Sequence, residues 1–138
     1  MSEWGTVISA LETIARATFP KLRAGTAGFE RGVRPVEILT AAELPHVFAH
    51  NPQERVTKLD HGQEAVEFSV VLLYAPEHGT SQEDVAVLLD LFRTSLQANP
   101  TLTSAVEKAY VRERGVRENP ENSAMRAGVL EVVAEWVK

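Results

Sequence analysis

The sequence predicts an α+β domain: an antiparallel or mixed β-sheet with two main helices packed on one side. Three observations predict it. Residues 3–18 and the stretch from Ser81 to Asn99 carry apolar side chains at helical spacing. Val66, Phe68, Val70, Leu72 and Tyr74 alternate with period two, as along a strand. Two further strand-like runs, 105–117 and 123–138, flank the turn cluster Asn119-Pro120-Glu121-Asn122 and read as an antiparallel hairpin. The 138 residues suffice for one domain with its own core, and no repeat, linker or second domain is visible.

In chain order, Trp4, Val7, Ile8, Leu11, Ile14 and Ala15 form one apolar stripe. Ser2 is the expected N-cap, and Phe19-Pro20 ends the helix. Residues 20–43 then carry three glycines, two prolines and four basic residues without a clear period. Residues 24–43 are expected to be a flexible surface loop, either solvated or ordering against a partner, and a short strand is expected around Lys21–Ala24. Leu44–Asn51 reads as a short strand, and residues 52–60 as a second extended piece before the turn Asp60-His61-Gly62. The strand ending at Tyr74 is half-exposed at its start and apolar on both faces at its end, which predicts a central strand. In the second helix Ser81 is the N-cap, and Asp84 meets free N–H groups at the positive end of the dipole. Its buried stripe is Val85, Leu88, Leu89, Phe92 and Leu96. Asn99 suits a left-handed C-terminal position, and Pro100 prevents continuation. In the last strand Leu130, Val132, Ala134 and Trp136 share one face.

Composition excludes several functions. A formal net charge of −5 argues against sequence-independent binding to nucleic acid or to an anionic membrane. The chain has no cysteine, which removes disulfides, thiolate metal sites and Cys nucleophiles. No apolar run approaches the roughly 20 residues that span a bilayer. The N-terminus lacks the basic start and apolar block of a signal peptide, so the protein is expected to stay in the cytosol where it is made.

Residue chemistry argues against an enzyme. His46 and His50 are four apart, a metal-ligand spacing on a helix, but Pro45 and Pro52 disfavour a helix there. On a strand, His46, Phe48 and His50 would share a face without an obvious third ligand. His61 and His78 sit beside turn glycines. No nucleophile elbow, P-loop, dinucleotide fingerprint or zincin motif is present. Acidic pairs such as Glu83/Asp84 are explained by capping. The basic residues Lys21, Arg23, Arg31 and Arg34 make a local surplus on an acidic chain. Further on, the alternation predicts Lys108, Arg112 and Arg114 on one strand face with Val106 and Tyr110, and Glu107 and Glu113 on the other. These seven basic residues are the candidate interface, facing complementary charge on a neighbouring subunit.

The chain resembles the tail terminator (tail completion) proteins of long-tailed bacteriophages and phage-like particles. The residues that carry the resemblance are the N-terminal amphipathic helix with its glycine-rich loop, Leu44-Pro45-x-Val47-Phe48, and the strand Val66–Tyr74. To these are added the helix Val85–Leu96 ending in Leu96-x-x-Asn99-Pro100-Thr101-Leu102, and Gly128-Val129-Leu130-x-Val132 in the final strand. Thr103-Ser104 stand where family members often have glycines. The resemblance implies an α+β subunit that assembles into a ring, usually a hexamer. The ring caps the tail tube, stops its polymerisation and offers the attachment surface for the head connector. It implies a virion protein of the tail or neck, made in the host bacterial cytoplasm, without chemistry or cofactor. The implied partners are further copies of itself, the tail tube protein and head–tail connector or neck proteins, with DNA passing through the ring. Another head–tail joining or minor tail protein, or a small cytosolic ligand-binding or adaptor domain, would fit the same residues.

Overall fold

The computed structural model describes residues 3–25, 28–32, 44–77, 79–119 and 122–138. They form α1 (Glu3–Thr18), β1 (Phe29–Arg31), β2 (His46–Lys58), β3 (Glu64–Ala75), α2 (Gln82–Ala98), β4 (Lys108–Asn119) and β5 (Asn122–Val137). The strands make one five-stranded sheet in the order β1-β2-β3-β5-β4, with β3 central. Only β1 and β2 run parallel; the other neighbours are antiparallel, so the sheet is mixed. This is the expected α+β class.

Both helices lie on one face of the sheet, here called the inner face. Val66, Phe68, Val70, Leu72 and Tyr74 of β3 point there and are all buried, as are Leu130, Val132, Ala134 and Trp136 of β5. From α1 come Val7, Leu11 and Ala15, and from α2 Val85, Leu89, Phe92 and Leu96. Phe19, just past α1, stacks on Tyr74 at 4.2 Å between ring centroids and lies nearly parallel to Phe92 at 5.8 Å. One column of rings thus joins α1, β3 and α2, and such pairs add about 0.5–1.5 kcal/mol each beyond the area they bury. Burial, with the Glu77 carboxylate nearby, pushes the Tyr74 phenol up to about 12.

Several local expectations are corrected. The segment at Lys21–Ala24 is not a strand: Lys21 has φ 63°, and the Arg16 guanidinium binds the carbonyl oxygens of Arg23 and, at 2.6 Å, Gly25. The strand of this region is β1, inside the stretch read as flexible loop. Its Phe29 is buried and pairs with Val47. Gly28 makes this possible, because a Cβ there would lie 2.1 Å from the Arg23 carbonyl oxygen. Residues 26–27 and 33–43 of the expected loop, and the Ser2 cap, lie outside the described residues.

The two extended pieces at 44–51 and 52–60 are one strand, β2, kinked by a bulge between His50 and Gln53 where Asn51 takes φ 51°. Pro52, which cannot donate to the ladder, sits in that bulge. Ser81 caps α2 as expected, its Oγ accepting from the Asp84 N–H at 3.1 Å. Asn99 is not left-handed, with φ −137°. Its side-chain oxygen instead accepts from the Thr103 N–H at 3.0 Å. The left-handed residues are Leu102, Thr103 and Ser104, with φ of 49°, 58° and 69°. A β-branched residue such as Thr103 is strained there.

Two stability predictions follow from these backbones. A Cβ on Gly128 of β5 would meet Leu89 Cδ2 at 2.7 Å and Val85 Cγ1 at 3.1 Å, whereas nothing lies within 4 Å of one on Gly115. Gly128→Val should cost about 1–3 kcal/mol in urea unfolding, while Gly115→Val leaves the midpoint unchanged or raises it. Thr103→Gly should stabilise by about 1 kcal/mol, because it relieves a left-handed non-glycine conformation; a lower midpoint would contradict the strain.

Candidate functional site

The part of this fold open for function is the outer face of the sheet from His50 onward; at its other end His46, Phe48 and Ala75 are buried. No helix of the described residues crosses it. Its side chains follow from the register. Phe48 and His50 of β2 stand opposite Leu73 and Val71 of β3, which stand opposite Val129 and Glu131 of β5. The face has an apolar end and a charged end.

At the apolar end, Leu44, Phe48 and Ala75 form a small second cluster with Leu73 packed against it. Beside it an open trough of about 500 Å³ runs across the sheet from His50 to Arg117, floored by Val71, Leu73 and Val129. Gly115 widens it by having no side chain. Val71 and Leu73 are half-buried, so the end of β3 is covered on its outer side less fully than the sequence implies. Burial, and then the Arg117 guanidinium, lower the His50 pKa from 6.5.

At the charged end, Arg112 of β4 reaches two carboxylates at once, binding Glu131 closely and Glu67 at 3.4 Å. The hydrogen bond to Glu131 raises its pKa further. Tyr110 donates to Glu135 at 3.4 Å, and the Lys108 ammonium lies 5.0 Å from the Tyr110 ring centroid. Desolvation, followed by the Glu135 and Glu67 charges, pushes the Tyr110 phenol up. These pairs are half-exposed and individually weak. Together they balance the carboxylates of β3 and β5 with cations from β4.

The candidate basic residues do not gather into one patch. A bulge between Val111 and Glu113 inserts one residue into β4 and reverses its alternation. Lys108, Tyr110 and Arg112 are on the outer face as expected. Beyond the bulge Glu113, opposite Glu131, joins them, while Arg114, opposite Leu130, turns to the inner side and binds Asp90 of α2. Arg31 donates to Ser9 of α1 at 3.0 Å, and Lys21 lies 3.6 Å from Glu77. Arg23 is exposed near Lys21, and Arg34 lies outside the described residues. What the sequence reading missed is the trough, whose walls come from β2 and β4 and meet only through the register.

His46 and His50 do share the outer face with Phe48, and the His46 ring packs on Phe48 at 4.5 Å between centroids. Among the described residues no group of three His, Asp or Glu side chains converges as a metal set. No helix among them is long and apolar enough to cross a membrane. No protein-family model matches the chain, and no curated protein matches it.

His50 offers a direct test of the trough. Its lowered pKa favours the neutral ring in the fold. That contribution to stability is complete above the unfolded value of 6.5 and is lost as pH falls through the folded one. An NMR titration should place the His50 midpoint below 6.5, and Arg117→Gln should raise it part of the way back, since burial is the larger cause. A midpoint unmoved by Arg117→Gln would mean that the two walls do not face each other.

Proposed function

We propose that this protein is a structural subunit that self-associates into a ring at the end of a phage-type tail tube, terminating the tube and presenting a surface for the head connector. The observation that carries the reading is the outer face of the sheet from His50 to the charged end, over which no helix of the described residues lies. Placing both helices on one side leaves, among the described residues, an open trough and a charge-balanced end on the other, the kind of surface that fits protein–protein contact. The order of helix, strands, helix and hairpin also supports the reading, because the resemblance rests on that order. Residues 85–102 and 128–132 supply α2, its C-terminal turn and the glycine beneath it. In this reading the fold is scaffold and the activity lies in surfaces.

The trough favours one second reading, a small ligand-binding domain. At about 500 Å³ it is within the size range of ligand pockets, although it is open along its length.

Light scattering on a sizing column, with and without purified tail tubes, separates the two. A closed ring, or a monomer that becomes a cap at one end of the tube, is the expected result. A monomer that ignores tubes at every concentration would overturn the ring and leave the ligand-binding domain. Which end is capped, and by how many copies, distinguishes a terminator from another neck protein.

A further inference from the structure

Two apolar patches remain on the lateral margins of the molecule, away from the outer face. On one margin α2 exposes Val87 and Leu91, one turn apart, at 57% and 49% of their surface. They sit beside a shallow depression against Arg114, Gly115 and Val116 of β4, with Asp90 and Arg114 as its polar rim. On the other margin Val56 and Leu59 are each 43% exposed, at the far end of β2, where Val56 still pairs with Val66 of β3. Among the described residues this end of β2 is a margin, because β1 pairs only with Val47–Ala49. Neither patch belongs to the buried core that joins both helices to the sheet.

The two patches differ in shape and in charge. Glu83 lies one helical turn before Val87, and Lys58 lies two residues after Val56. Neither has an ion partner among the described residues. A two-fold contact would bring each patch against itself, Glu83 against Glu83 and Lys58 against Lys58. A head-to-tail contact instead buries a convex helix ridge against a strand end and joins the two opposite charges.

We infer that the α2 ridge of Val87 and Leu91 docks on the β2 end of Val56 and Leu59 in a second copy of this chain, with Glu83 facing Lys58. The inference rests on the ring reading and specifies its subunit contact. Because the two surfaces lie on opposite margins of one sheet, each copy keeps one of each free for the next, and the contact propagates around a ring rather than stopping at a dimer. The outer face stays available for the tube or the connector.

The chain has no cysteine, so single cysteines report without background. Val87→Cys and Val56→Cys are made separately, at exposed positions that leave the core alone. Each protein is treated alone and as an equal mixture with a short thiol–thiol linker, and the mass of every sample is read by light scattering. The expected result is cross-linked chains in the mixture and none in either protein alone. Glu83→Lys should abolish that cross-link, and Glu83→Lys combined with Lys58→Glu in the facing partner should restore it. Cross-linking of Val87→Cys with itself would overturn the head-to-tail contact in favour of a two-fold one. Particles of ring mass without mixed cross-links would overturn this contact and leave the ring reading standing. A monomer in every sample, with and without tubes, would overturn both.

Discussion

The structure hangs on three parallel aromatic rings. Phe19, Tyr74 and Phe92 come from the end of α1, the end of the central strand and the middle of α2, and their stacking fixes where both helices stand on the sheet. The register places Gly128 directly opposite Tyr74. The missing side chain there lets Leu89 and Val85 descend onto β5, so that Phe92, one turn on, reaches the stack. A lifted helix would open the column and wet the Tyr74 phenol. That phenol is held neutral by burial and by Glu77, up to about 12. Its contribution is intact below the ordinary value of 10.0 and is lost as pH rises through the folded one. With both helices pinned to one side, the opposite face beyond His50 carries no helix of the described residues.

Much of this was legible in the sequence, and for identifiable reasons. The helices showed because their apolar stripes are long and their ends are marked by Ser81, Asp84, Phe19-Pro20 and Pro100. The central strand showed because five alternate residues from Val66 to Tyr74 are large and apolar. β1 did not show. Three residues carry no period, and only pairing with Val47, far along the chain, defines them. Nor did Leu102–Ser104, where the left-handed backbone is imposed on ordinary side chains by the need to return from α2 to β4.

The candidate site was less legible than the fold because it depends on the two bulges. A bulge is one residue of ordinary type, so the alternation of side chains reads straight through it. The reading of Lys108, Arg112 and Arg114 as one row fails at that point, and Arg114 ends up beside Asp90. The charges that looked free for a partner are largely engaged within the chain, as Arg112 is by Glu67 and Glu131. Charge on a strand is thus an ambiguous signal, because pairing within a sheet and pairing between subunits use the same residues at the same spacing.

The bulge in β4 also sets a rule for how this hairpin can change over generations. Removing the extra residue there would restore strict alternation without turning any later side chain, because Glu113 already stands opposite Glu131 and Arg114 opposite Leu130. Removing a second residue would turn Arg114 away from Asp90 and Val116 out of the core. Descendants of this chain can therefore lose the bulge in one step, while any further lone insertion or deletion in β4 must arise together with a compensating one or be lost.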